Sequence, residues 1–410
     1  MSEELIENRE LPGSGTGSAA PPKPPRSRAW VSVVVTLISF VLAFVTGAIV
    51  MVLADQEVLS KYAYFFNAPG DALAASWDKV ASAYGALLRG SVGSWQAITE
   101  TTAQATPLIC AGLGVALAFR AGLFNIGAQG QAIWGAIFGA LVGFSVKGLP
   151  VFIHIPLALV MAMIFGALWG AIAGFLKAKT GAHEVIVTIM LNYVAALSLS
   201  YLLTTQLLQQ PGRKDPISPV VEFTATMPRL AGTRLTLGFF LALAAAAAVW
   251  WLLERTTLGF RIRAVGINPH AAATSGMSVS RTTIIAMAIA GGLAGLAGAQ
   301  IVLTPTLLTG YPTQLSLGIV ATVGFDAITV ALLGRSRPLG VVLAGLLFGA
   351  MKAGGLTMAA QAQTPSDLTN LIQALIVLFV AAPAFVMWLV PVLQEKRPRR
   401  VGPSTKAATA

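Results

Sequence analysis

Charged residues divide the chain into long apolar intervals at 29–54, 101–119, 121–146, 148–176, 185–212, 235–253, 282–325, 338–351 and 368–394. All but 338–351 reach about the 20 residues that a helix needs to cross a bilayer, and Lys352 interrupts that exception. The interval 282–325 is long enough for two spans, and Pro305, Gly310 and Pro312 mark a turn between them. The pattern predicts an all-α, polytopic membrane protein with about ten transmembrane helices, two of them short or interrupted.

Composition removes the alternative of two or three soluble domains that 410 residues would otherwise suggest. With 56% hydrophobic and 10% charged residues, against about 25% charged in ordinary soluble domains, polar groups are too few to cover a soluble surface. Residues 1–28 are rich in Pro, Gly, Ser and Glu without periodicity and read as a disordered cytoplasmic arm. The apolar run that follows is too long for a cleaved signal peptide and reads as a retained first span. The membrane domain is expected over 29–395, with a basic cytoplasmic tail at 396–410.

The net charge of +11 raises the question of a nucleic-acid partner. With residue 1 in the cytoplasm, ten spans put 18 of the 27 Lys and Arg inside and 8 outside, with Lys352 within a span. That asymmetry reports orientation and contact with anionic lipid, so no nucleic acid is needed. The same frame puts 55–100 outside, its aromatic residues mixed with charges as in interfacial helices. A second outer connection, about 206–233, contains Pro211, Pro216 and Pro219, which limit regular structure. The connection 254–281 is cytoplasmic and carries four Arg against one Glu.

Ten spans with both ends inside divide into five plus five, and an odd number per half inverts the second half. Span three then corresponds to span eight, and both contain Gly-interrupted polar signals of the kind that builds substrate paths from broken helices. Asp326 and Glu184 are the carboxylates within or bordering spans, apart from Glu254 at a helix end. An intramembrane carboxylate costs on the order of 3 kcal/mol unless it has a cavity or partner, so Asp326 either faces the path or pairs with Lys352. Glu184 is explained by the start of its helix. Asn125, Gln129, Gln131 and Asn192 both donate and accept hydrogen bonds, which suits a neutral polar solute or a bond between helices. The Gly-rich run Gly291-Gly292-Leu-Ala-Gly295-Leu-Ala-Gly298 reads as a close-packing surface. Cys110 is the single cysteine, His154, His183 and His270 lack ligand spacing, and no Walker A, nucleophile elbow or zinc motif occurs. Neither metal, cofactor nor ATP hydrolysis by this chain is expected.

Four runs resemble the permease subunits of ABC importers for nucleosides and simple sugars. They are Phe119-Arg-Ala-Gly-Leu-Phe-Asn125-Ile-Gly-Ala-Gln129-Gly-Gln131, Gly181-Ala-His-Glu184-Val-Ile-Val-Thr-Ile-Met-Leu-Asn192-Tyr193, Gly266-Ile-Asn268-Pro269-His-Ala-Ala and Gly324-Phe-Asp326-Ala-Ile-Thr-Val-Ala-Leu-Leu-Gly334. The resemblance covers about 105–395. The family commonly has Glu at the position of Gln129 and Asn at that of His183, so a charged role at the first is not implied. The long 55–100 segment resembles the larger of two permeases that pair in nucleoside importers.

The resemblance implies half of a translocation pore in a bacterial plasma membrane. Its partners are a separate ABC ATP-binding subunit, an extracytoplasmic solute-binding protein and a second permease subunit. The expected path residues are Asn125, Gln129, Gln131, Asn192, Phe325, Asp326 and Thr329. The expected ATPase contact is Arg261, Arg263, Asn268, Pro269, Ala271 and Ala272, with Asn268 and Pro269 starting a short helix from about Pro269 to Gly276. An ion-coupled secondary transporter is the alternative, and a membrane scaffold a third reading.

Overall fold

The computed structural model describes residues 26–230, 232–305, 313–381 and 386. Most of the arm, the Gly310 and Pro312 turn, almost all of the last span beyond 381 and the basic tail lie outside these residues. Among the described residues there are fourteen α-helices and almost no sheet. Seven helices are long and apolar enough to cross a membrane: α1 (Arg26–Ala54), α4 (Trp95–Arg120), α6 (Val151–Thr180), α7 (Glu184–Leu202), α8 (Leu237–Arg255), α11 (Val279–Leu303) and α13 (Pro338–Ala362). The shorter α5 (Ala128–Ser145), α12 (Val323–Leu333) and α14 (Ser366–Ala381) occupy the other three expected spans. The remaining helices are α2 (Gln56–Tyr62) and α3 (Pro69–Val92) before α4, and α9 (Thr257–Ile267) and α10 (Pro269–Thr274) between α8 and α11.

Packing repeats between the halves. α11 runs along α6 as α4 runs along α13, α11 packs on α5 as α4 packs on α12, and α5 meets α7 as α12 meets α14. Exchanging α4 with α11, α5 with α12, α6 with α13 and α7 with α14 therefore maps the core onto itself, as the five-plus-five division requires. The first span of each half departs from the relation, because α1 packs on α14 whereas α8 packs on α4.

Small residues make this packing close, since helices in lipid gain from backbone approach and not from hydrophobic exclusion. A Cβ on Gly298 would run into the Ala132 carbonyl, one on Gly295 into that of Ala162, and one on Gly291 into that of Gly166. The Gly-rich run is thus the seam joining α11 to α5 and α6.

The two connections expected outside differ from their sequence reading. α3 is a 24-residue helix that packs along α13, burying Ala83, Ala86 and Leu87, so this segment is built into the bundle and does not merely rest at headgroups. The Pro-rich connection contains a strand, β1 (Ile217–Val220), paired antiparallel with β2 (Gln314–Ser316). Pro219 is tolerated because β1 is one strand of a two-stranded, irregular pair. The connection is pinned further by Glu222 N–H on the Gly143 carbonyl (2.8 Å) and Met227 N–H on that of Leu303 (2.8 Å).

Candidate functional site

The start of α5 is broken as its glycines suggest. Gly122 adopts a left-handed φ of +72°, which lets the chain turn off α4 without Cβ strain, and α5 begins only at Ala128. The intervening backbone is held by amides. Asn125 and Gln131 bond reciprocally (Nδ2 to Oε1 3.0 Å, Nε2 to Oδ1 3.2 Å), and Asn125 Oδ1 also accepts from Gly127 N–H (3.0 Å). From α7, Asn192 donates to the Ile126 carbonyl (3.0 Å) and accepts from Gly130 N–H (2.8 Å). All three side chains are buried. Their polar groups hold the interrupted helix together and to its neighbour, which is the bond between helices that the sequence offered as one of two alternatives.

Gln129 joins the two broken spans. Its Oε1 accepts from Gly324 N–H (2.8 Å) and its Nε2 donates to the Ala321 carbonyl (2.6 Å), both at the start of α12. Gly324 allows this approach, since a Cβ there would strike the Gln129 backbone. A neutral amide can satisfy a donor and an acceptor together, whereas a carboxylate only accepts. The amide of Gln129 therefore has a structural role that a carboxylate would not reproduce.

Asp326 lies one turn into α12. Its Oδ2 is 2.6 Å from Lys352 Nζ on α13 and accepts from Thr322 Oγ1 at 3.0 Å. The ion-pair alternative is what the geometry contains, and both side chains keep about a fifth of their surface exposed (21% and 22%), so the pair is also reachable from the open face. Phe325 is 48% exposed beside it, while Thr329 spends its hydroxyl on the Asp326 carbonyl (2.6 Å). Gln129, Thr322, Phe325 and Asp326 thus share one accessible face, from which Asn125, Gln131 and Asn192 are withdrawn.

Two features were not singled out in the sequence. Glu100 on α4 pairs with Arg234 (2.8 Å) and accepts from Gln104 Nε2 (2.9 Å). Arg229, beside this pair, has its pKa lowered by burial and by the charge of Arg234. The spacing of Glu100 and Gln104 on one helix face was the available signal.

At the bundle end carrying α9 and α10, Asn268 Oδ1 accepts from His270 N–H (3.0 Å) and Ala271 N–H (3.1 Å), and Pro269 opens the helix. The expected cap is present, and α10 ends at Thr274. Ala271 is exposed, but Ala272 is buried (4%), which corrects its place in an outward-facing contact. Arg263 is committed to Glu254 (2.9 Å), whereas Arg261 is exposed. Ile267, absent from the expected contact, is 86% exposed immediately before α10. Glu184 pairs with Lys177 (2.8 Å), in keeping with a structural role. No group of three or more His, Cys, Asp or Glu that could hold a metal occurs among the described residues.

A helical repeat whose two interrupted helices meet through a polar clasp is an arrangement that membrane transport proteins use. The family described as "Branched-chain amino acid transport system / permease component" matches residues 97–381, and the chain belongs to it. The guanosine ABC transporter permease protein NupP of Bacillus subtilis is 38% identical over 369 residues, covering 88% of this chain and 97% of the relative. The nucleoside ABC transporter permease protein NupB of Lactococcus lactis is 32% identical, covering 88% and 93%. The glucose ABC transporter permease protein TsgB13 of Haloferax volcanii is 35% identical, covering 74% and 80%. No solved structure matches the chain significantly. The chain is therefore an integral, multi-pass ABC transporter permease, and the ion-coupled alternative finds no support.

Proposed function

We propose that this permease imports a nucleoside or simple sugar and forms half of its path together with a second permease subunit. The observation that carries the substrate class is the near end-to-end similarity to nucleoside permeases. The accessible face at Gln129, Phe325 and Asp326 supports a route along α5 and α12. The exposed apolar stripe Ile186, Met190, Tyr193, Leu197 and Tyr201 on α7 supports a neighbouring subunit beside that route.

In this reading both termini and α9–α10 are cytoplasmic, and α2–α3 with β1 lie outside, as the positive-inside rule favours. A separate ATP-binding subunit receives α10 with Ile267, and an extracytoplasmic binding protein delivers solute to the opposite end. The chain supplies a polar passage and a mechanical contact and performs no covalent chemistry. Uptake of labelled nucleosides and sugars by cells expressing the complete transporter tests the proposal. Loss on ATP depletion, with retention after collapse of ion gradients, is expected. The reverse result overturns it. Labelling of an Ala273→Cys variant by an impermeant maleimide outside intact cells would overturn the topology.

A further inference from the structure

Within the bundle α8 packs on α4 and α13, and it makes no comparable contact with α6 or α11 among the described residues. The space left between them is a groove of about 460 Å³, walled by Ile164 and Ala167 of α6, Ala248 and Leu252 of α8, and Ala288 and Gly292 of α11. Its place in the repeat is specific. α3 covers α13 and touches α4, and exchanging the halves turns those two helices into α6 and α11. No described helix takes the corresponding position along α6, so the groove is where the repeat lacks a counterpart of α3.

Every side chain that lines the groove is apolar, so a solute with hydroxyl or amide groups gains no partner there. A helix about 10 Å across would exhaust 460 Å³ within about 6 Å, roughly one turn, so a partner's transmembrane helix does not fit either. A single hydrocarbon chain is far thinner. Met163 and Ile164, 38% and 45% exposed, leave the groove open to the bilayer along its side, and a chain lying in it supplies packing contacts that an empty groove forfeits.

The end of the groove toward α9 is basic. Arg255 follows Leu252 by three residues on α8, and Arg281 precedes Ala288 by seven on α11, about one and two helical turns, so both extend the groove's own walls. Both are exposed, and neither is in an ion pair among the described residues. The carboxylates of this end are engaged elsewhere, Glu254 with Arg263 (2.9 Å) and Glu184 with Lys177 (2.8 Å). The Arg255 guanidinium lies 5.9 Å from the Trp250 ring, and Trp250 and Trp251 are exposed, as aromatic residues are at headgroup level. Guanidinium groups match phosphate oxygens through paired hydrogen bonds, and basic sites between helices on the cytoplasmic side take anionic headgroups.

We propose that the groove between α6, α8 and α11 is a binding site for one anionic phospholipid of the cytoplasmic leaflet, with an acyl chain along the groove and the phosphate at the rim that carries Arg255 and Arg281. The lipid stands where the other half has α3. The choice of leaflet rests on the cytoplasmic placement of α9–α10 above, and the binding itself is measured without it.

The test titrates the complete transporter, delipidated in detergent, with dioleoyl phosphatidylglycerol or dioleoyl phosphatidylcholine and counts bound lipid by native mass spectrometry. Phosphatidylglycerol should bind at least about tenfold more tightly than phosphatidylcholine, and Arg255→Gln/Arg281→Gln should weaken it by about fivefold for each Arg. Arg335→Gln/Arg337→Gln removes two exposed charges from the turn between α12 and α13 and should leave binding unchanged. Ala288→Phe, which fills the groove, should weaken both lipids, and glycerol 3-phosphate, a headgroup without a chain, should displace neither. Equal loss in the two Arg double variants would reduce the effect to general surface charge and overturn the site. Undiminished binding in Arg255→Gln/Arg281→Gln or in Ala288→Phe overturns it too, as does displacement of phosphatidylglycerol by glycerol 3-phosphate.

Discussion

Gly122 and Gly266 are in backbone contact: a Cβ added to Gly122 would lie 3.1 Å from the Gly266 Cα, and one added to Gly266 would strike the Arg120 carbonyl. Gly122 begins the turn into the broken start of α5, and Gly266 is the penultimate residue of α9, one step before Ile267 and α10. The proposed ATPase contact is therefore one backbone layer from the segment that Gln129 clasps to α12. Movement of α9 bears directly on that turn without a chain of intermediate side chains.

Gly266→Ala is expected to push α9 off the turn and to lower solute uptake per ATP hydrolysed by at least about tenfold, a coupling change on the order of 1.4 kcal/mol. Parallel measurement of uptake and ATPase activity in vesicles checks it. Loss of both activities in equal proportion would point to misfolding instead.

Replacing Asp326 with Ala leaves Lys352 without its carboxylate. Breaking a buried pair costs about 3–5 kcal/mol, and the partial exposure here places the expected loss toward or below the lower figure. Thermal denaturation of the solubilised protein should show D326A clearly less stable than wild type. The double variant D326N/K352M should recover most of that stability. Uptake should remain impaired in both, and normal uptake by the double variant would make the pair purely structural.

Ala271→Arg and Ala272→Arg should fail differently. The exposed Ala271 admits a long side chain into solvent, so A271R should stay abundant and lose coupling to the ATP-binding subunit. The buried Ala272 has no room for a charge, so A272R should be depleted from the membrane. Immunoblotting of membranes beside uptake assays separates the two. Ile267→Asp should behave like A271R.

Asp55 caps α2 and pairs with Lys79 on α3 at 2.7 Å. The Lys79 hydrogen bond holds its carboxyl below the usual range against the opposing effect of burial, with help from the Val58 and Glu57 N–H groups. Because the folded pKa is depressed, this stabilisation is present above the unfolded value of about 3.9 and disappears as pH falls through the lower folded value. Docking of α2 on α3 should loosen below about pH 4, read as increased proteolysis near Lys61. A D55N variant should lack that acid-dependent step.

The parts legible in the sequence are those set by short-range physics. Span positions follow from apolar runs, the Asn268–Pro269 helix start from local capping, and the α11 seam from Gly spacing. The burial of Ala272 was not legible, because a six-residue helix with three consecutive Ala residues has no polar face to read. Whether Asn125, Gln131 and Asn192 meet a solute or bond between helices stayed open in the sequence for another reason. An amide has the same composition whether it meets a solute or a backbone, and only the approach of α7 to the broken turn decides between them. The close contact of Gly355 with Thr369, fourteen residues later on the next helix, gave no sign either, since it depends on how α13 and α14 pack.

The β1–β2 pairing has a consequence for anyone who tags or splices this protein. Gln210 N–H bonds the Ile217 carbonyl at 2.9 Å, closing a small exposed loop whose tip carries Arg213, Lys214 and Asp215. Beyond it, Ser218 Oγ accepts from Leu315 N–H at 2.8 Å, nearly a hundred residues away. An epitope inserted at Lys214 extends a closed tip and should be silent. The same epitope inserted a few residues later, at Pro219, breaks the strand paired with β2, which leads into α12, so its damage would surface in the opposite half of the molecule.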